Sequence, residues 1–166
     1  MLRRLLLLSV IALAACVSST GAPVPVPQGT LIVVRHADRD DGVLRLNDKG
    51  HARAALLPEA LSDLPLDAIY LPDLTRNIET AEPLSAASGL PMRFLTVDDD
   101  LPLALATLAE GKTVIWIGNS DNIRPLWARL ALPGEPPVTY GEIAVLTGDG
   151  ETWSRTDRFH GPAPEN

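Results

Sequence analysis

Two five-residue runs, Thr30-Leu31-Ile32-Val33-Val34 and Thr113-Val114-Ile115-Trp116-Ile117, hold no charged side chain and are rich in β-branched residues. A strand with one wet face alternates apolar with polar, so runs of this kind are strands covered on both faces. Helices must supply the covers, and the chain offers them in alternation. Asn47 caps a helix through Ala52, Leu56 and Leu57 that kinks or restarts at Pro58. Asp67–Tyr70 reads as a second short strand. Asp73 opens a helix with Leu74, Ile78, Ala81 and Leu84 on one stripe, strained at Pro83 and closed by Gly89. Pro91 to Leu95 is a weak strand, and Leu101, Leu105 and Leu108 mark a helix that stops near Gly111. Gly118-Asn119-Ser120 then turns into a helix carrying Ile123, Leu126, Trp127 and Leu130, ended by Pro133-Gly134. Glu142–Thr147 and Thr152–Arg158 flank Gly148-Asp149-Gly150 as a terminal hairpin. The expected fold is α/β, a three-layer sandwich with a mainly parallel central sheet and a C-terminal hairpin, over residues 30–159 with a tail at 160–166.

The first residues do not belong to that domain. Arg3 and Arg4 precede an apolar run from Leu5 to Ala15 broken only by Ser9, the pattern of a secretory signal over residues 1–15. Eleven helical residues rise about 16 Å against a hydrocarbon core of roughly 30 Å, so a permanent span is disfavoured. Leu13-Ala14-Ala15-Cys16 resembles the lipobox of bacterial lipoproteins, which implies cleavage and acylation at Cys16, the only cysteine of the chain. Residues 16–29 would then be the lipidated cysteine and a Pro-rich extended tether, holding the domain at a bacterial cell envelope on the periplasmic or outer side. With a single cysteine, no intrachain disulfide can form. Removing residues 1–15 leaves 12 basic against 21 acidic residues, a net charge of −9. Nonspecific nucleic-acid binding is excluded by that field, and any anion site must be local.

Open parallel sheets bind ligands beyond the carboxyl ends of their strands, where helix amides are free. Two strand ends here are polar, one delivering Arg35 and His36 and the other Gly118, Asn119 and Ser120 at a helix start. Arg76 stands near the N-terminus of another helix, a position disfavoured for a cation unless it holds an anion. Two arginines, an imidazole and helix amides around one crevice would make a phosphate site.

These residues carry a family resemblance. LIVVRHADRD resembles the Arg-His-Gly/Ala signature of the histidine phosphatase (phosphoglycerate-mutase-like) superfamily, and LNDKGHARA, IYLPDLTRNIETAEPL and VIWIGNSDNI are similar to its next three segments, in family order. The resemblance implies a phosphohistidine mechanism without metal or other cofactor. His36 would attack phosphorus, Arg35 and Arg76 would neutralise the phosphoryl oxygens with Asn119 and Ser120 beside them, and water would hydrolyse the phosphoenzyme. The substrate would be a small phosphorylated molecule or a phosphoprotein. His51 reads as a solvated helix residue and His160 as part of the tail.

One departure matters. The family pattern has its second histidine where this chain has Asn119. An amide keeps a donor and gives up the charge, a loss of about 1.5–3 kcal/mol, or roughly 10- to 150-fold. The leaving alcohol also needs a proton. Asp38, two residues beyond His36, is the favoured donor, although such a residue is more often a solvated charge or a partner for Arg39. Asp98, Asp99 and Asp100 are a second option, more naturally a helix-start cluster. The grouping His36, Asp38, Asp40 and Asp41 raises a metal-dependent hydrolase as a third reading, weak because one histidine stands with carboxylates on a flexible turn. Ahead of it stand an anchored phosphatase and a non-catalytic lipoprotein of the same fold that binds a phosphate-bearing ligand or a partner.

Overall fold

The computed structural model describes residues 23–161, so the signal 1–15, Cys16 and the first part of the tether lie outside the described residues. The two apolar runs form β1 (Gln28–Arg35) and β4 (Thr113–Gly118), and they pair in parallel from Thr30 opposite Thr113 to Arg35 opposite Gly118. Between them come α1 (Asp48–Ala54), α2 (Leu57–Ala60), β2 (Ala68–Leu71), α3 (Thr75–Ser88), β3 (Met92–Phe94) and α4 (Leu101–Ala109). After them come α5 (Ser120–Arg129), β5 (Glu142–Asp149) and β6 (Trp153–Phe159). The six strands make one sheet in the order β3-β2-β4-β1-β5-β6, parallel across its first four strands, with β5 and β6 antiparallel at one edge.

Strand alternation splits the core in two. Leu31, Val33, Tyr70, Val114 and Trp116 meet Leu105 of α4 and Ile123, Leu126 and Trp127 of α5 on one face. Ile32, Val34, Ile69, Ile115 and Ile117 meet Leu57 of α2 and Ala81 and Leu84 of α3 on the other. Every strand residue in these lists is buried, which is why the runs show no polar alternation. Helices on both faces of a mainly parallel sheet give the expected three-layer sandwich.

The chain leaves the adjacent strands β1 and β4 toward opposite faces, β1 toward α1 and β4 toward α5. Neighbouring exits that diverge open a crevice at their carboxyl ends, and the crevice is where Arg35, His36 and Asn119 lie.

Several local expectations need correction. Asn47 does cap α1, its side chain accepting from the Gly50 amide, and Pro58 enters the first turn of α2. Asp73, in contrast, does not cap α3; Leu74 occupies that position with no side-chain bond. Pro83 lies inside α3, which runs on to Ser88 with Ala81 and Leu84 buried against the sheet. His160 is no tail residue. It is 1% exposed, its amide donates to the Gly141 carbonyl and its own carbonyl accepts from Arg53.

Candidate active site

His36 extends the β1 ladder by one bond, its amide donating to the Gly118 carbonyl at 2.9 Å. Its ring is 2% exposed, and Nδ1 lies 2.8 Å from the carbonyl of Ala37. A carbonyl only accepts, so Nδ1 carries the proton and Nε2 keeps its lone pair. Burial lowers the imidazole from 6.5 to about 4; the Ala37 bond opposes the shift, and the nearby charges of Arg35, Arg76 and Arg39 add to it. At neutral pH the ring is therefore uncharged, with a fixed tautomer and a free nucleophilic nitrogen.

Helix α3 is tied to the same strand ends by polar side chains that the sequence pattern did not reveal. Asn77 Nδ2 donates to the carbonyls of Ile117 and Gly118 at 2.8 and 3.1 Å. Thr80 donates to the Arg76 carbonyl and accepts the Ala37 amide. Both side chains are fully buried, so each bond removes an orphan group as well as fixing the helix. The result sets the first turn of α3, and Arg76 on it, beside β4. There Arg76 donates Nε–H to Asn119 Oδ1 at 2.9 Å. Ser120 is the first residue of α5, and the Asn119 amide is held by Asn122 Oδ1 at 2.9 Å.

Arg35 reaches the opposite wall. Its Nη1 donates to the Val138 carbonyl at 2.8 Å and its Nη2 to the Tyr140 hydroxyl at 3.2 Å, while its Cζ lies 4.1 Å from the centroid of the Tyr140 ring. The Tyr140 ring is in turn 5.7 Å from the His36 ring, tilted by 58°. Arg39, read from sequence as a partner for Asp38, is free of it: one Nη bonds the Asp40 and Val43 carbonyls within its own loop. The Nε atoms of Arg35 and Arg39 are buried without a hydrogen-bond partner among the described residues. A buried orphan donor costs about 1–3 kcal/mol. Burial and the neighbouring Arg39 both disfavour the charge on Arg76, and only then does Asp121 favour it. Three like charges thus stand around one neutral imidazole.

Asp38 does not fit the role of proton donor. Arg53 Nε lies 2.6 Å from its Oδ2 and Lys49 Nζ 3.5 Å from its Oδ1. Burial alone would raise the carboxyl, but the bond and charge of Arg53 outweigh it and hold it below its ordinary value, ionised and committed to structure. Asp98, Asp99 and Asp100 are exposed between β3 and α4, where Asp98 Oδ1 accepts from the Asp100 amide at 3.0 Å. The proposed metal grouping does not converge either, since Asp38 is taken by Arg53 and Asp40 accepts from Asn47. Among the described residues no three His, Cys, Asp or Glu side chains form a metal-sized cluster.

The loop before α1 is anchored by Glu79, buried in α3, which accepts from the Leu46 amide and from Arg45, each at 2.8 Å. Burial would raise Glu79, and those two bonds hold it below its ordinary value. Beside the start of α3 an open groove of about 380 Å³ is walled by Pro72, Leu74, Phe94 and Val97.

Residues 31–101 match the model of the histidine phosphatase superfamily (branch 1). No curated protein sequence matches the chain. Among solved structures, a protein of Agrobacterium tumefaciens assigned as the phosphohistidine phosphatase SixA superposes with a TM-score of 0.60 at 20% identity, covering 82% of this chain and 98% of that one. A protein histidine phosphatase SixA bound to tungstate gives 0.57 at 21%, covering 79% and 96%. A mycobacterial glucosyl-3-phosphoglycerate phosphatase gives 0.62 at 17%, covering 81% and 100%. The chain thus has the histidine phosphatase fold, and over residues 31–101 it matches the histidine phosphatase superfamily.

Proposed function

We propose that the chain is a member of that superfamily and a phosphatase that hydrolyses a phosphomonoester through a phosphohistidine at His36, held at a bacterial envelope through an acylated Cys16. The observation that carries the catalytic reading is the Nδ1–H bond from His36 to the Ala37 carbonyl, which leaves Nε2 unprotonated beside Arg35, Arg39 and Arg76. Nε2 attacks phosphorus in line with the departing oxygen. The guanidinium groups and the Asn119 amide stabilise the charge on the equatorial oxygens, and water then attacks the phosphoenzyme and returns the lone pair to Nε2. A neutral imidazole among cations favours this step, because it gives up no solvation of its own and the phosphoryl group arrives negative.

The relatives named above bear on substrate. Two carry the name of the histidine phosphatase SixA and one that of a glucosyl-3-phosphoglycerate phosphatase. The apolar walls of the groove beside α3, with Leu74, Phe94 and Val97 exposed, favour a phosphorylated side chain on a protein over a compact sugar phosphate. Asn119 favours a second reading, a protein of this fold that binds phosphate-bearing ligands and turns them over slowly or not at all. Rapid quench with a radiolabelled aryl phosphate separates the two. An acid-labile phosphoenzyme in wild type, lost in His36→Ala, supports the phosphatase; phosphate binding with no phosphoenzyme supports the binding protein.

A further inference from the structure

With Asp38 committed to Arg53, the leaving oxygen needs another proton, and the Tyr140 side chain lies against both Arg35 and His36. We infer that Tyr140, in the loop before β5, is the general acid of the site, donating its phenolic proton to the leaving oxygen of a phosphomonoester.

The geometry assigns the proton. Tyr140 Oη accepts from Arg35 Nη2 at 3.2 Å, and a guanidinium has no acceptor, so the hydroxyl hydrogen is not used in that bond and is free to reach a ligand. The ring is fixed on two sides, by the Arg35 guanidinium at 4.1 Å and by the tilted His36 ring at 5.7 Å. The loop itself is held, because Arg35 Nη1 also takes the Val138 carbonyl two residues earlier. A phosphoryl group gripped by Arg35 and attacked by His36 would enter the crevice that this hydroxyl borders. The competing carboxylates are exposed, Asp121 in the first turn of α5 and Asp98, Asp99 and Asp100 ahead of α4.

The step balances. As the Nε2–P bond forms, the P–O bond breaks, its electron pair moves to the leaving oxygen, and that oxygen takes the Tyr140 proton. The phenolate is stabilised by Arg35, already bonded to it. In the second half, water attacks phosphorus, the N–P pair returns to Nε2, and the proton of the water restores the phenol.

The inference rests on the phosphohistidine reading, and the test separates the two. Wild type and Tyr140→Phe are compared on dinitrophenyl, nitrophenyl and phenyl phosphate; phenylalanine keeps the ring against Arg35 and His36 and removes only the hydroxyl. A general acid matters most for the poorest leaving group, so kcat/KM is expected to fall about 100-fold with phenyl phosphate and less than about 3-fold with dinitrophenyl phosphate. A loss through mere loosening of Arg35 would be the same for all three substrates, and that result overturns the assignment while leaving the phosphatase intact. So does a leaving-group-dependent loss in Asp121→Asn with none in Tyr140→Phe. Wild type that forms no phosphoenzyme and turns over none of the three overturns the phosphatase reading, and the assignment falls with it.

Discussion

Arg76 donates Nε–H to Asn119 Oδ1 at 2.9 Å, and this bond decides which end of the amide faces a ligand. Since arginine can only donate, the oxygen must point at it, leaving Nδ2 and its two hydrogens for another acceptor. Asn119 thus keeps a donor at the position where the family pattern has a histidine, aimed by the same arginine that would hold the phosphoryl oxygens.

Asn119→Asp tests that orientation. The carboxylate keeps the acceptor for Arg76 and replaces the amide donor with negative charge. Phosphate or vanadate affinity by calorimetry is expected to weaken by more than about 10-fold, the value of one hydrogen bond to a charged group. Unchanged affinity would mean that Nδ2 faces no ligand.

Arg39 is expected to bind the same anion. Arg39→Gln removes one of the three cations around His36, so phosphate affinity should fall about 10-fold and the imidazole should titrate higher than in wild type. Calorimetry and NMR titration of His36 read the two effects. Movement of neither places Arg39 in loop structure alone.

How far the site was legible follows from how each residue is encoded. His36, Arg35 and Asn119 end apolar strands, where an abrupt change from β-branched to polar residues marks the carboxyl edge of the sheet. Arg35 and Tyr140, in contrast, meet across 105 positions and a hairpin approach, with no local pattern to join them. Asn77, Glu79 and Thr80 look like the wet face of α3, yet all three are buried, because the groups they bond are strand ends and a loop. Asp38 misled for the same reason: its proximity to His36 in sequence was visible, whereas Arg53, brought back by the turn of α1, was not. His160 read as tail because its neighbours are Gly and Pro, and it is fixed by Arg53.

Asp38→Asn is expected to act on stability rather than on the proton-transfer step. It removes the carboxylate that Arg53, whose side chain is 6% exposed, meets at 2.6 Å. Breaking one partner of a buried pair costs about 3 kcal/mol or more. Urea unfolding should show that loss, while the leaving-group dependence of the folded fraction stays as in wild type. A loss that grows with leaving-group basicity would restore Asp38 as the acid.

His36 also sets a pH dependence. The unfolded imidazole takes its proton near 6.5 and the folded one near 4, so between these values unfolding binds a proton. The stability tied to neutral His36 is complete above 6.5 and lost as pH falls to 4, about 3 kcal/mol at most. His160, lowered chiefly by burial, contributes with the same sign. Urea midpoints measured across this window should fall with acid, and less steeply in His36→Gln. An equal slope in the two proteins would show that His36 is not buried neutral.

Asn119→His asks whether one cationic donor separates this site from a fast one. The imidazole placed there loses the acceptor for Arg76 when it is protonated, and two positive groups then face each other where a 2.9 Å hydrogen bond stood. That pairing is tolerable only with an anion between them, so the variant should bind phosphate more tightly as pH falls, a trend opposite to any expected of an amide. Turnover of an aryl phosphate should rise about 10- to 100-fold, the worth of one charge-assisted bond in the transition state. The gain must vanish when His36→Ala is added, since the new charge has nothing to stabilise without the nucleophile. If wild type and Asn119→His are both inert while phosphate still binds, the pocket differs from a catalytic one by more than this residue, and the protein is a phosphate-ligand binder on the phosphatase fold.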